Sequence, residues 1–429
     1  MKIAVVGTGI SGNVVAHHLH RAGHDLTVFE AAGHIGGHTH THRVELDGEV
    51  HEIDTGFIVF NDWTYPRFIA LLDELGVASR PTSMSFSVRN DASGLEYNGT
   101  SLDGLFAQRR NLLRPRFLGM LVEIARFNRE APRLLDRPGE ELALGEFLRR
   151  GRYGRAFVED YLVPMGAAIW STDPARMMAF PARFFVRFLH HHGMLSIDRR
   201  PTWRVVEGGS ARYVERLVRP WHDRVRLDTP VTEIRRVPGG VRIRARGHEP
   251  EFFQHVFLAC HADQALRLLA DASEDERAVL GDLPYQANEV VLHTDTSLLP
   301  RNRRAWAAWN YHVGAGEGPR VALTYDMNIL QGLRSAHTFC VTLNATDRID
   351  PRRILRRLDY AHPLFTPRGV AAQARHARIS GLRGTHFCGA YWRQGFHEDG
   401  VASALDALKL FEARPDVTAP EQCDLCGLG

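Results

Sequence analysis

The 429-residue chain is 44% hydrophobic and 24% charged, the balance of a folded protein of about two domains, which excludes a disordered or fibrous one. Its formal charge of +3 is too small over this length to mark a nucleic-acid partner. Lysine occurs only at Lys2 and Lys409, so a lysine-dependent reaction has two candidates.

The chain opens on KIAVV, residues 2–6, a continuous apolar run that reads as a strand buried on both faces of a parallel sheet. GTGISG follows at once, with Gly7, Gly9 and Gly12 spaced as G-x-G-x-x-G, then a helical stretch ending at Gly23. DLTVFEA, residues 25–31, reads as a second strand that closes on Glu30, 18 positions after Gly12. This strand–glycine turn–helix–strand order predicts dinucleotide binding. Gly7 allows the tight turn, Gly9 lets backbone amides approach a pyrophosphate, and Gly12 lets the helix pack on the strand. Ile10 and Ser11 begin the helix whose N-terminus favours phosphate. Glu30 would accept hydrogen bonds from ribose hydroxyls, with Ala31 beside it, and its charge would repel a 2′-phosphate. FAD or NAD fits; NADP does not.

Residues 33–42, GHIGGHTHTH, carry four histidines. One reading is a second glycine turn over the dinucleotide, with Gly36, Gly37, His38 and Thr39 as its cofactor-facing positions. The other is a metal site, because His38, His40 and His42 alternate and would project to one strand face. No cysteine or carboxylate completes that set, and no metal is expected. The segment resembles the R-x-G-G-R stretch of the flavin-containing amine oxidase and phytoene desaturase superfamily, with His34 and His38 where that family has arginines. Asp54 and Gly56 are similar to the D-x-G that follows in the same superfamily.

Residues 65–76 read as an amphipathic helix, and 100 to 192 as largely helical, arginine-rich and broken by Pro115 and Pro132. The arginine-rich face is either a solvated surface or a contact with an anionic membrane. His190 to His192 cannot all share one helix face, which argues against a metal there. RVVEGGSARYVERLV, 204–218, reads as a glycine pair, Ser210 as an N-cap, and a helix. Strands joined by a glycine hairpin then run to a strand-to-helix turn near HADQALRLL. From 285 to 345, aromatic alternating segments predict an antiparallel sheet with one face toward a ligand. THFCGAY and GFHEDGVASALDALKLF close the chain as a buried strand and a helix.

Three separated segments, 3–60, 204–270 and 383–411, resemble the superfamily in order, and phrases such as WNYH, YDMNILQ and GFHEDG resemble a bacterial subgroup described as NAD/FAD-binding or amine-oxidase-like. Some relatives in that subgroup are associated with modifying unsaturated fatty acids. The resemblance implies an α/β fold: a discontinuous Rossmann-type FAD-binding domain (1–76, 200–284, 375–415) with parallel sheet and β-meander. It also implies an α+β substrate domain (77–199, 285–374) with antiparallel sheet and helices, and a tail at 416–429. It implies non-covalent FAD, with Val231 touching the adenine. Gly389, Glu398, Asp399 and Gly400 would lie by the ribityl chain and pyrophosphate, and Val401 by the isoalloxazine; Asp399 could instead cap the last helix.

Amine oxidases usually carry a lysine near flavin N5, on the strand corresponding to about residues 286–292; here that strand is QANEVVL. The implied function is therefore hydride transfer to FAD from a lipid-like chain, as in a desaturase. The alternatives are a small amine as substrate, a non-redox flavin isomerase, or a flavin-binding partner subunit. Candidate catalytic groups are His312 and, second, Glu289. Candidate pocket residues are Trp170, Trp306, Trp309, Tyr311, Tyr325, Tyr391 and Trp392, for which core packing is the competing explanation. Cys260, Cys340 and Cys388 are too scattered for a disulfide framework, and the CxxC of Cys423 and Cys426 reads as a tail, with a metal or redox role as its alternative. No signal peptide or apolar run of roughly 18 residues is present, so the expectation is cytoplasmic residence, with peripheral placement at the inner membrane face as its alternative. Oligomeric state is not predicted.

Overall fold

The computed structural model describes residues 1–136, 142–196, 198–314 and 322–413; Cys423 and Cys426 lie outside them. The chain forms two compact units. The first comprises Met1–Gly37, Tyr213–Pro284 and the described residues from Arg368 onward, the second His38–Arg212 and Tyr285–Pro367. In this division residues 38–76 and 200–212, expected in the FAD-binding domain, cluster with the second unit. They do so because they build their own small sheets there. Thr41–Leu46 pairs with Glu49–Asp54, and Trp203–Val206 lies between Phe60–Asn61 and Ser79–Pro81.

The first unit is built on a five-stranded parallel sheet in the order Val225–Arg226, Asp25–Phe29, Lys2–Val6, His255–Leu258, Thr385–Phe387. Ile3, Ala4, Val5 and Val28 are fully buried, which is why these strands read as unbroken apolar runs. Helices Ile10–Arg21 and His397–Glu412 belong to this unit, as does a meander of Val231–Val237, Gly240–Ala245 and Glu251–Phe253. Val231 opens the meander at a bulge.

The second unit holds a seven-stranded sheet in the order Ile354–Pro363, Tyr285–His293, Cys340–Leu343, Ala322–Asp326, Trp309–Val313, Phe86–Asn90, Leu95–Asn98. Its pairings are antiparallel except one, where Phe86–Asn90 runs parallel to Trp309–Val313. The register sorts its side chains cleanly. Val290, Leu343, Leu323, Tyr311 and Val88 oppose one another on one face, and Val291, Thr342, Thr324, Asn310 and Ser87 on the other. The helical block includes Pro115–Glu130, Leu144–Arg150, Val163–Trp170 and Ala182–His191. Helix Pro66–Leu75 ends at Gly76 in the left-handed region, φ 62°.

Two expectations require correction. YDMNIL is not all strand, because Asp326 accepts a hydrogen bond from Ile329 N (3.1 Å) and starts the helical turn Met327–Leu330. Ser210 does not cap the following helix. Its hydroxyl donates to Asp54 Oδ1 (2.8 Å), and Thr41 Oγ1 accepts from Ala211 N instead (2.9 Å).

Candidate functional site

In the first unit the glycine turn is shaped by contacts that a side chain would destroy. Gly7 has φ 101°, and a Cβ on Gly12 would lie 1.9 Å from the Gly7 carbonyl oxygen. Gly37 packs on Gly9, its Cβ position 3.0 Å from Gly9 Cα, while a Cβ on Gly9 would meet nothing within 4 Å. The Ile10–Arg21 helix has no side-chain cap, so its first amides are left to a ligand. An uncapped helix N-terminus beside an open glycine is what a dinucleotide pyrophosphate requires, and the residues present fit one.

Glu30 is tied to this turn: its carboxylate accepts from Thr8 N (2.8 Å), Thr8 Oγ1 (2.5 Å) and Ala32 N (2.9 Å). Three of about four acceptor positions are thus used, leaving one for a ribose hydroxyl. Gly36 N donates to Thr8 Oγ1 (3.3 Å), which joins the second glycine turn to the first. Ala31 is exposed.

The closing helix reaches the same turn. Ser11 Oγ donates to the Gly400 carbonyl (2.8 Å), and a Cβ on Gly400 would lie 2.6 Å from Ile10 Cγ2. Gly389 donates to Ser403 Oγ (3.0 Å) and leaves room for the Tyr391 ring, which a Cβ there would strike at 2.2 Å. Asp399 takes the capping role: its Oδ2 accepts from Phe396 N (2.9 Å) and Gln394 N (3.2 Å), and burial pushes its carboxyl up to about 7. Glu398 and Val401 are buried in the same turn. His397 was not anticipated from sequence. Its Nε2 lies 2.6 Å from Tyr213 OH, and burial lowers its pKa to about 3, so it stays neutral. Tyr391 and Trp392 also belong to this unit, their rings 5.1 Å apart, with Trp392 4.4 Å from His376.

The second unit separates the other candidates. Trp309 and Tyr325 meet edge to face at 5.3 Å, and Tyr311 packs with Ala167, Ala168 and Leu323 on the same sheet face. Trp170 lies among phenylalanines, 5.0 Å from Phe180 and 4.7 Å from Phe188, and Trp306 donates its indole N–H to the Pro300 carbonyl.

His312 and Glu289 fall on the opposite face of the sheet, two residues from Asn310 and Val291 respectively. His312 Nε2 contacts Asp91 Oδ2 at 2.6 Å, with Arg348 Nη2 3.1 Å from its Nδ1. Desolvation lowers its pKa, against the pull of Asp91. The alternation in WNYHV already separates Trp309 and Tyr311 from His312.

The aromatic face instead carries a polar cluster that sequence reasoning missed. Asn288 Nδ2 lies 2.7 Å from His362 Nδ1, and Asn288 Oδ1 accepts from Asn344 Nδ2 (2.8 Å). Tyr360 OH contacts Thr55 Oγ1 (2.9 Å), and the His38 ring lies 4.9 Å from Tyr360 and 5.4 Å from His362. The pairings Asn288↔Tyr360 and Gln286↔His362 put these groups together. The His40 and His42 rings lie 4.0 Å apart, tilted by 42°, and His42 Nε2 is 3.1 Å from Thr55 Oγ1. Among the described residues no group of three or more His, Cys, Asp or Glu is arranged to hold a metal ion.

Behind this loop Asp54 is fully buried. It accepts from Ser210 N (2.9 Å), Ser210 Oγ, Thr41 Oγ1 (2.5 Å) and Gln331 Nε2 (3.2 Å), and burial raises its pKa to about 6. Gly56 lets this strand end cross the histidine loop, since its Cβ would lie 2.1 Å from the His38 carbonyl oxygen.

Residues 10–322 match the family described as flavin containing amine oxidoreductase. The chain belongs to that family, and its cofactor is FAD. It is 27% identical over 251 residues to "Putative flavin-containing monoamine oxidase AofH" of Mycobacterium tuberculosis, covering 57% of this chain and 53% of that protein. The chain thus spans about half the length of that curated relative. Among solved structures, the cyclohexylamine oxidase of Brevibacterium oxydans IH-35A aligns with a TM-score of 0.67 at 16% identity, covering 97% of this chain and 99% of that one. A CLA-producing fatty acid isomerase from P. acnes aligns with a TM-score of 0.68, also at 16% identity, covering 95% and 98%. Likeness at this identity establishes the α/β fold. No helix among the described residues is long and apolar enough to cross a membrane.

Proposed function

We propose that this family member is an FAD-dependent oxidoreductase that removes hydride from a C–H bond of an unsaturated acyl or isoprenoid chain, in the manner of a desaturase. FAD, held non-covalently, supplies the hydride acceptor. The observation that carries the reading is Asn288: the strand where an amine oxidase is expected to hold lysine presents a neutral amide braced by His362 and Asn344. On that face the partly buried rings of Trp309 and Tyr325 suit a hydrocarbon chain better than a solvated ammonium, whereas Tyr311 and Leu323 are core, buried against Ala167 and Ala168. Non-covalent binding is supported by Cys388, whose buried thiol points to the Leu258 carbonyl and is pushed well up by desolvation.

A second reading, oxidation of a small amine, is supported by the family description and by the likeness to AofH. Anaerobic addition of unsaturated fatty acids, isoprenoids and amines to the yellow holoprotein, followed at the oxidised-flavin band, separates the two. The proposal expects bleaching by a lipid and none by amines. Bleaching by an amine alone transfers the assignment to the second reading. Conversion of a lipid only after chemical reduction of the flavin marks an isomerase, and a flavin that no addition changes marks a partner subunit.

A further inference from the structure

A helix on a protein surface ordinarily carries apolar residues on the inward stripe and polar ones on the outward stripe. The Pro115–Glu130 helix of the second unit departs from this. Phe117, Met120 and Phe127 are buried, yet Leu118, Val122 and Ala125, spaced i, i+4 and i+7, are exposed on the other side. The short turns just before it behave the same way: Leu102 is 77% exposed, Leu113 87%, and Val122 on the helix itself 68%. Leu112 is also exposed. The turns and the helix are packed together on their buried side, where the Phe106 and Phe117 rings meet edge to face at 5.9 Å, so these exposed residues belong to one packed region of the surface.

Charge frames the exposed leucines. Between 102 and 122 stand Arg109, Arg110, Arg114 and Arg116 against the single acid Asp103, a net charge of 4 − 1 = +3. Arg109 pairs with Asp103, and Arg116 with Asp160 and Glu159, whereas Arg110, among the described residues, donates to the Gly94 carbonyl. Protruding leucines rimmed by guanidinium groups are the composition of an element that lies in a lipid interface: side chains enter the acyl boundary while arginines meet anionic head groups. A second copy of the chain is a poorer occupant, because a self-complementary contact would set two such positive rims against each other.

We propose that residues 102–129 form a docking ridge for an anionic phospholipid membrane, holding the protein at the surface without crossing it. The inference does not depend on the reading of the substrate.

The test is flotation of holoprotein with vesicles of phosphatidylcholine alone and of phosphatidylcholine mixed with phosphatidylglycerol. Flotation is expected with the anionic vesicles and should weaken as salt is raised. The surface variant Leu112→Ser/Leu113→Ser should bind those vesicles about tenfold or more weakly, with its flavin absorbance unchanged as the control for folding. Arg109→Gln/Arg110→Gln should lose the preference for anionic over neutral vesicles. Wild-type protein that does not float with anionic vesicles at low salt overturns the proposal, as does equal flotation of the leucine variant. A concentration-dependent dimer that the leucine variant disrupts would overturn it too, by assigning the ridge to a second copy.

Discussion

The two compact units solve recognition with different materials. In the first, the groups that would meet the dinucleotide are mostly backbone: amides at an uncapped helix end, a glycine open to its surroundings, and a carboxylate held by the turn it serves. All of it is written within the first forty residues and one closing helix. In the second, the corresponding work falls to side chains that meet through sheet register, such as Asn288 and His362, 74 positions apart. A backbone site tolerates little change at a few glycines; a side-chain site can be rebuilt by substituting single strand positions. That asymmetry explains how one fold keeps its cofactor while its substrate varies.

The sharpest break of this contrast is at Gly12. Gly12→Ala must displace the Gly7 carbonyl, so the variant should lose bound flavin entirely and fold poorly, read as missing absorbance and a Tm lower by many degrees. Gly9→Ala keeps the question answerable, because the protein itself has room for that methyl. The variant should fold normally yet bind FAD about tenfold or more weakly, since the methyl occupies the pyrophosphate's approach. Undiminished FAD affinity in a folded Gly9→Ala protein would refute the backbone cradle. In the second unit the largest effect is expected at Asp54. Asp54→Ala strands the Ser210 amide and hydroxyl, the Thr41 hydroxyl and the Gln331 amide, a loss of about 3 kcal/mol or more by denaturant titration. A loss below about 1 kcal/mol would mean these donors find other partners.

The same asymmetry governs how much could be read from sequence. The parallel sheet, the meander, the glycine turn and the closing helix were legible because each depends on local pattern: apolar runs, glycine spacing, a helix beginning after a strand. The strands Phe86–Asn90 and Ile354–Pro363 were not recognised. The second is largely half-exposed, so its alternation is faint. With it went Tyr360 and His362, whose partners are set by cross-strand register and by no motif. Ser210 illustrates a different loss. A serine before a helix is the usual cap signal, but here the hydroxyl is turned to donate to the fully buried Asp54, and the first helical amide is met by Thr41 Oγ1, 170 positions away, which no local pattern announces.

Asp399 offers a smaller, pH-resolved test in the first unit. Its folded pKa of about 7 lies above the ordinary value of 3.8, so the folded state holds the proton more tightly. Stability from this group is complete below about pH 4 and is lost as pH rises through 7, with a slope of up to about 1.4 kcal/mol per pH unit. Asp399→Asn keeps an oxygen to accept from Phe396 N and should flatten that slope without releasing flavin. An unchanged profile would mean that the carboxylate is already ionised at pH 5, stabilised by the helix N-terminus.

The mildest effect is expected at His312, and it decides which face of the large sheet does chemistry. If the reacting face is the one carrying Asn288, Trp309 and Tyr325, His312 serves the far side, holding Asp91 and Arg348 together. His312→Asn should then leave kcat within about twofold and shift neither limb of its pH profile, because losing a general base ordinarily costs on the order of a hundredfold or more. Asn288→Ala, on the other face, should lower turnover while the flavin stays bound. Reversal of the two outcomes, with His312→Asn inactive and Asn288→Ala intact, would turn the sheet over and place the substrate against Asn310, Thr324 and His293 instead.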